Sequence, residues 1–271
     1  MDSWVVGVVL GLIQGVLEWL PVSSEGSVAL ALTALGSDPK ASTQFALFLH
    51  LGTALAATVF YRERLTDLLA AVPGWRPVDA FGPDQARLSF LGVATAASFA
   101  TGGVVYLTIE EVVSALSGGA FVALIGVLLV GTGVLQRTAQ GQAVTERPDP
   151  TLLDALLVGA LQGLAVLPGV SRSGTTVSAL LLRGHDGERS LELSFLLSIP
   201  AALGAGAIVF LDVGIPSVSP AAAAIAIAVS AVVGFLTVGA LVALVRRVAF
   251  WGVCVGFGAL AVLGGALLVF F

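Results

Sequence analysis

The chain contains little charge and almost no cysteine. Only 11% of its 271 residues are charged, whereas 57% are hydrophobic. Soluble globular domains carry about 25% charged residues, so this composition indicates an integral membrane protein. The single cysteine, Cys254, excludes a disulfide framework and a cluster of metal-binding thiolates. A net charge of −5 without a basic stripe excludes a nucleic acid partner and leaves membrane lipids as the expected surroundings.

Long apolar runs, in contrast, are abundant. A helix that crosses a bilayer needs about 20 predominantly apolar residues. We therefore expect an all-α polytopic membrane protein that forms a single membrane domain over 1–271. Six segments qualify as transmembrane helices: 42–61, 88–108, 118–136, 190–211, 220–245 and 250–270.

Two further apolar regions are interrupted in the middle. Residues 4–36 are broken by Pro-Val-Ser-Ser-Glu-Gly at 21–26, and residues 152–183 by Pro-Gly-Val-Ser-Arg-Ser-Gly at 168–174. The arms on either side of each break are marginal or short for a crossing. Irregular backbone is tolerated at membrane depth only where it is buried in protein or lines water. We therefore predict two re-entrant helical hairpins, with the interrupted segments as their tips.

The basic residues support this arrangement. With six crossings and two re-entrant hairpins, ten arginines fall on one side of the membrane and Lys40 falls on the other. Loops rich in Lys and Arg face the cytoplasm, so both termini are predicted to be external. The ten are Arg62, Arg64, Arg76, Arg87, Arg137, Arg147, Arg183, Arg189, Arg246 and Arg247.

An internal repeat points to the same layout. Residues 45–60 align without gaps with residues 195–210, and in each half a hairpin precedes three spans. We predict repeat one over 1–136, a cytoplasmic linker over 137–150 and repeat two over 151–271. An odd number of crossings per half inverts the second repeat relative to the first. In inverted-repeat membrane proteins the site lies where the broken helices meet.

The second tip has the residues of an oxyanion site. Arg172 stands among serines, threonines and glycines at the start of a predicted helix. Free N–H groups at a helix N-terminus bind anions, and the guanidinium fork matches phosphate oxygens. The alternative is an arginine that pairs with a carboxylate to hold two helices together, with the glycines allowing close packing.

The first tip carries carboxylates and hydroxyls. Gln14 and Glu18 are four residues apart and so share a helix face. Together with Glu25 they offer the oxygen ligands that Mg²⁺ or Ca²⁺ prefers. Ser24 is a candidate nucleophile if a base removes its proton. The alternative is that Ser23 and Ser24 cap the second arm, with one of the two expected to do so in either case.

Only two histidines are present. His50 lies midway along the first predicted span, beside the expected position of the tips. Two roles are open for it: a base or proton relay in the site, or a buried structural residue. His185 lies in a polar segment with several charged neighbours, and we expect it to be solvated and without a role in the site.

The motifs LEWLPVSSEG and PGVSRSGTT, followed by LELSFLLSIPAALGA, resemble the undecaprenyl-diphosphate phosphatase family of the BacA/UppP type. The resemblance covers nearly the whole chain. It implies a membrane enzyme that hydrolyses a polyprenyl diphosphate to the monophosphate and inorganic phosphate on the outer side of the cell membrane, recycling a lipid carrier. It also implies a divalent cation, Mg²⁺ or Ca²⁺, six spans and two re-entrant hairpins in an inverted-topology repeat.

The resemblance assigns roles by position. Glu18 matches a metal-binding or acid–base glutamate, Ser24 a nucleophile or phosphate ligand, and Arg172 the phosphate-binding arginine. We expect a catalytic set of Glu18, Ser24, Glu25, His50 and Arg172, and a metal set of Glu18, Glu25 and Gln14. The expected phosphate-binding set is Ser27, Ser171, Arg172, Ser173, Gly174, Thr175 and Thr176.

Three positions depart from the family pattern. Gln14 stands where a glutamate is usual, Ser27 where a histidine is usual, and Glu25 where a threonine is usual. Glu25 would restore the missing carboxylate and His50 the missing imidazole. We expect such a compensated site in archaea, whose carrier is a dolichyl-type polyprenyl phosphate. A non-hydrolytic lipid-phosphate transporter or flippase is the rival interpretation, and whether the chain forms a homodimer is left open.

Overall fold

A computed structural model of the chain describes residues 3–140, 147, 149–215 and 219–270. Part of the predicted linker, 141–146 and 148, lies outside them. The described residues form eleven α-helices and no strand. The helices are α1 (Ser3–Leu17), α2 (Ser24–Ala34), α3 (Pro39–Phe60), α4 (Arg62–Ala71), α5 (Ala86–Ser114), α6 (Gly118–Ala139), α7 (Leu152–Gly163), α8 (Arg172–Leu182), α9 (Gly187–Val213), α10 (Pro220–Val245) and α11 (Trp251–Phe270).

Six of these helices are long and apolar enough to cross a membrane. They are α3, α5, α6, α9, α10 and α11, and they confirm the six predicted spans. The largest difference is at the end of α5, which runs to Ser114 rather than to residue 108. The extension is stabilised by packing, because Val113 in the added turns is buried in a cluster with Phe121 and Ile125.

Two pairs of shorter helices occupy the regions predicted as hairpins. In each pair a polar side chain marks the break. Ser23 caps α2 and Ser171 caps α8, each accepting a hydrogen bond from the amide three residues ahead. Such caps satisfy N–H groups that the first turn of a helix leaves without a partner. The predicted capping role is thereby confirmed for one serine of the first tip, Ser23.

The helix contacts are exchanged between the two halves of the chain. Helix α1 of the first half packs along α10 of the second, and α7 of the second half packs along α5 of the first. Within the halves, the pair α2–α3 of the first corresponds to the pair α8–α9 of the second. The contacts α3–α9 and α6–α11 each join helices that occupy the same place in the two halves. This pattern is what two repeats related by a pseudo-two-fold axis produce.

Small residues allow the closest of these contacts. Gly7, Gly11 and Gly15 form a stripe along α1 that faces α10, where a Cβ on Gly11 would lie 2.7 Å from the carbonyl oxygen of Ala226. Lipid tails are as apolar as leucine side chains, so association within a membrane relies on close van der Waals packing. The stripe lets α1 lie closely along the long helix α10.

A buried polar clasp joins the two arms of the second pair. The Asp154 carboxylate, in the first turn of α7, accepts hydrogen bonds from Thr151, from Arg183 Nε at 2.5 Å and from His185 Nε2 at 3.2 Å. The expectation of a solvated His185 is wrong, because the ring is fully buried against Asp154. Burial alone would raise the pKa of Asp154, but the hydrogen bonds from Arg183, Thr151 and His185 outweigh it and lower the pKa to about 2.

We predict that Asp154→Asn destabilises the protein by about 2–3 kcal/mol at pH 7, since charged hydrogen bonds to Arg183 and His185 are lost. An unfolded aspartate has a pKa of about 3.9. The contribution of the carboxylate is therefore complete above that pH and is lost as pH falls through about 2. Thermal unfolding in detergent, followed by circular dichroism, measures the difference, with exposed Asp67→Asn as control. Equal melting temperatures for the two variants would contradict the clasp.

Candidate functional site

The breaks after α1 and before α8 meet in the interior of the helix bundle. Ser23 Oγ accepts hydrogen bonds from the Gly26 amide of its own tip at 3.2 Å and from the Gly169 amide of the other tip at 3.1 Å. Ser23 adopts a left-handed conformation with φ of 61°. The backbones approach so closely that a Cβ on Gly26 would lie 2.9 Å from the Gly169 nitrogen. The two helix N-termini are therefore held side by side.

Glu18 is the centre of the polar contacts at this junction. Its Oε1 accepts a hydrogen bond from Arg172 Nη2 of the other tip at 2.7 Å. Its Oε2 accepts hydrogen bonds from Ser24 Oγ at 2.8 Å and from Gln14 Nε2 at 2.9 Å. The residue is only 6% exposed, so the ion pair and hydrogen bonds replace the water that a carboxylate requires.

His50 joins the same carboxylate from α3. Its Nε2 lies 3.4 Å from Glu18 Oε2, and its Nδ1 lies 3.0 Å from the carbonyl oxygen of Ala46. Both ring nitrogens thus face oxygen acceptors. The side chain therefore joins the Glu18 carboxylate to the backbone of α3.

Glu25 has a different environment. It lies in the first turn of α2, where the N-terminal end of the helix dipole favours a carboxylate. The side chain is 4% exposed and its Oε1 has no hydrogen-bond partner among the described residues. Glu18 is close enough to repel it electrostatically. A buried carboxylate oxygen without a donor is costly unless another group binds it.

Arg172 is the first residue of α8 and crosses from the second tip to the first. Besides Glu18, its guanidinium contacts the carbonyl oxygen of Ser194 through Nη1 at 3.4 Å. Its Cζ lies 5.8 Å from the ring centre of Phe195 on α9. Such contacts at one edge and one face fix the plane of the guanidinium and aim it at the junction.

A cavity of about 380 Å³ opens from the junction. Seven of the sequence-predicted site residues line it: Glu18, Ser24, Glu25, His50, Ser171, Arg172 and Ser173. The other five lie outside its lining: Gln14, Ser27, Gly174, Thr175 and Thr176. The tips thus bring most of the predicted residues to one surface.

The five residues outside the lining have other contacts. Gln14 is fully buried behind Glu18 and holds its carboxylate. The hydroxyls of Ser27, Thr175 and Thr176 donate to carbonyl groups one turn back in the chain. Gly174 lines a second, smaller cavity. These five residues therefore lie outside the lining of the main cavity, and their assignment to the metal-binding and phosphate-binding sets stays a prediction.

Most of the remaining wall of the cavity is apolar, and the sequence did not predict it. It is built largely of small residues of α5 and α9, with further residues of α7 and of the 3₁₀ turn after it, and reaches towards Tyr106 and Leu211. Two polar side chains, Ser98 and Gln162, also line it. The wall includes Phe99, Gly102, Gly103, Ala201, Ala202, Gly204, Ala205 and Ile208. Clusters of glycine and alanine on two spans were the available signal, but the sequence does not show that these faces oppose one another.

Known proteins are similar to this chain over nearly its whole length. The model of the family described as bacitracin resistance protein BacA matches residues 7–262. A protein of Haloarcula marismortui named undecaprenyl-diphosphatase is 58% identical over 98% of this chain and 99% of its own length. Proteins with the same name from Methanococcoides burtonii and Methanopyrus kandleri are 38% and 37% identical over 94% and 97% of this chain, and over 96% of their own lengths.

We predict that Arg172→Met destabilises the protein by about 3–5 kcal/mol, because it leaves the buried Glu18 carboxylate without its guanidinium. The double variant Glu18→Gln/Arg172→Met should recover much of the loss, since neither charge remains. Thermal unfolding in detergent measures both. The exposed pair of Arg246 and Glu188 provides the control, and Arg246→Met should cost less than about 1 kcal/mol. Equal losses for the two single variants would show that the buried pair is no more important than a surface pair.

Proposed function

Because the chain belongs to the bacitracin resistance protein BacA family, we propose that it is a polyprenyl diphosphate phosphatase of the undecaprenyl or dolichyl type. It would hydrolyse the diphosphate to the monophosphate and inorganic phosphate and so recycle a lipid carrier. One observation carries the proposal. Glu18 accepts hydrogen bonds from both Ser24 and Arg172, and all three residues line a cavity whose remaining wall is largely apolar. Such a cavity suits a ligand with an anionic head and a hydrocarbon tail.

Arg172 would bind the diphosphate. In the structure one N–H of its Nη2 is directed to Glu18 and one of its Nη1 to Ser194, and a guanidinium has five N–H donors. The positive ends of the α2 and α8 dipoles add to the attraction for an anion. Ser171 and Ser173 line the cavity beside Arg172 and are the remaining hydroxyls of the second tip that could contact phosphate oxygens.

Glu18 and Ser24 would perform the chemistry. The Ser24 hydroxyl donates to Glu18 Oε2 at 2.8 Å, which is the geometry of a nucleophile and its base. As Glu18 takes the proton, Ser24 Oγ would form a bond to the terminal phosphorus and the bond to the bridging oxygen would break. The polyprenyl monophosphate would leave, and water would then release inorganic phosphate from Ser24. Alternatively, a water activated by Glu18 attacks directly. Catalysis of either kind is mainly positioning and charge neutralisation.

His50 and Glu25 would assist as the compensating groups expected from the sequence. His50 contacts Glu18 rather than Ser24, and the described hydrogen bonds link neither His50 nor Glu25 to the Ser24 hydroxyl. The role of His50 would therefore be to exchange a proton with Glu18 or to stabilise the charge of the Glu18 carboxylate. Glu25, facing the cavity with one unpaired oxygen, is available to a cation or to a protonated phosphate.

A divalent cation, Mg²⁺ or Ca²⁺, fits the oxygen atoms at the junction. Gln14 Oε1 and Glu25 Oε1 are both buried and have no partner among the described residues. The described residues contain no group of three or more His, Cys, Asp or Glu suited to a metal. Glu18 and Glu25, which line the cavity, would hold the ion together with phosphate oxygens of the substrate, and Gln14 would support the site from behind by orienting the Glu18 carboxylate. A bound cation would neutralise negative charge that develops on the phosphates.

The apolar wall would accommodate the first isoprene units, and the site would open to the external face. The cavity extends from the tips towards Tyr106 and Leu211, whose helix ends carry acidic rather than basic residues. This agrees with external termini, a cytoplasmic linker and re-entrant hairpins in an inverted repeat. All of these features belong to the proposal, whereas the multi-pass membrane character follows from the six apolar helices and the family.

We predict that the purified protein releases phosphate from a polyprenyl diphosphate in detergent with Mg²⁺ or Ca²⁺, and that EDTA abolishes release. Arg172→Lys should retain the charge but lower kcat/KM by at least about tenfold, because an ammonium lacks the fork of donors. Arg246→Lys, at an exposed pair, is the matched control. No release by the wild type, with lipid phosphate still bound, would reject hydrolysis and favour a non-hydrolytic transporter, which the exchanged helix contacts also suit.

We predict that His50→Ala and Glu25→Gln each lower hydrolysis by at least about a hundredfold, a typical scale for the loss of a positioned acid or base. Glu188→Gln, at an exposed carboxylate remote from the cavity, should leave the rate unchanged. Initial rates of phosphate release at saturating substrate provide the comparison. Near-normal rates in both site variants would eliminate the compensation hypothesis while leaving the roles of Glu18 and Arg172 intact.

A further inference from the structure

One face of α6 contacts both tips, although α6 contributes no residue to the lining of the main cavity. Thr132 and Gln136 are four residues apart, so both side chains emerge on the same side of this helix. They are 4% and 8% exposed. Polar side chains of this kind inside a membrane helix require partners, and here the partners are backbone groups of the irregular tips.

Thr132 holds the second tip. Its hydroxyl accepts a hydrogen bond from the Ser171 amide at 3.3 Å and donates to the Gly169 carbonyl at 3.4 Å. One hydroxyl thus serves both a donor and an acceptor of a segment that has no regular backbone pairing. The two contacted residues are Gly169, the glycine of the turn, and Ser171, the N-cap of α8. Arg172 follows Ser171 directly.

Gln136 holds the first tip. Its Nε2 donates to the Pro21 carbonyl at 2.7 Å, and Cys254 of α11 donates to the same carbonyl at 3.0 Å. Pro21 lies three residues after Glu18. A Cβ on Gly174 would lie 2.5 Å from Gln136 Nε2, so the glycine at that position leaves room for the amide to reach across.

From these contacts we infer that Thr132 and Gln136 are positioning residues, which set the separation of the two tips and thereby the meeting of Glu18 with Arg172. The inference rests on the proposed function for its catalytic consequence. Among the described residues, three hydrogen-bonded contacts join the tips directly: Ser23 with Gly169, Glu18 with Arg172, and the longer bond from Ser173 Oγ to the Leu20 carbonyl at 3.5 Å. Because α6 is hydrogen-bonded to both tips, it holds their backbones at a defined separation.

The test is a series at position 132 with a kinetic readout. Thr132→Val keeps the shape of the side chain but removes both hydrogen bonds, and we expect kcat to fall roughly 10- to 100-fold, the effect of a misplacement of about 1 Å. The KM for the lipid should change less than about threefold, because the apolar wall on α5 and α9 is untouched. Thr132→Ser keeps the hydroxyl and should restore most of kcat.

Two further variants complete the series. Gln136→Met removes the amide donor at similar length and should also lower kcat, by less than Thr132→Val, since Cys254 still donates to Pro21. Thr108→Val is the matched control, because its exposed hydroxyl donates only within its own helix. Wild-type kcat in Thr132→Val, or equal losses in the Ser and Val variants, would overturn the inference.

Hydrogen exchange provides a readout that does not depend on hydrolysis. In Thr132→Val the amides of 169–174 should exchange at least about tenfold faster than in the wild type, while those of α10 should not change. Thr132→Ser should resemble the wild type. A wild-type protein that does not hydrolyse the lipid would refute the proposed function alone. Unchanged exchange at the tip in Thr132→Val would refute the positioning role whatever the activity.

Discussion

The structure depends on the ion pair between Glu18 and Arg172 at the meeting of two broken helices. Neither charge can remain in an apolar surrounding without the other, and each belongs to a different half of the chain. The pair therefore requires the two tips to meet, and the meeting requires irregular backbone deep inside the protein. The glycines, the capping serines and the hydroxyl and amide groups of α6 satisfy that backbone.

The same interaction connects stability with chemistry. In the free protein Glu18 accepts hydrogen bonds from Arg172, Ser24 and Gln14 and lies beside His50, so the carboxylate is oriented before a ligand arrives. An anionic ligand that attracts Arg172 would loosen the ion pair and leave Glu18 with a larger share of negative charge. In the proposed mechanism, the arrangement would link binding of the diphosphate to activation of Ser24 by Glu18.

The sequence predicted much of the fold and part of the site. Six spans follow from the length of the apolar runs, and Arg172 and Glu18 are conspicuous because buried charge is costly. The sequence could not assign individual hydroxyls. Thr175 and Thr176 resemble phosphate ligands in the motif, yet each donates to its own helix. His185 resembles a solvated loop residue, yet it is buried against Asp154. The sequence could not predict this contact, because it joins residues 31 positions apart and has no local signature.

The sequence by itself determined the class of protein, the number of spans and the two motifs of the proposed chemistry, since composition, the lengths of apolar runs and motifs are properties of the sequence alone. The tertiary structure decided which groups act together. It brought His50 of α3 to Glu18, turned Gln14 away from the cavity, built an apolar wall from α5 and α9, and connected both tips to α6. These contacts depend on the directions of side chains across packed helices, which are settled only when the whole bundle forms.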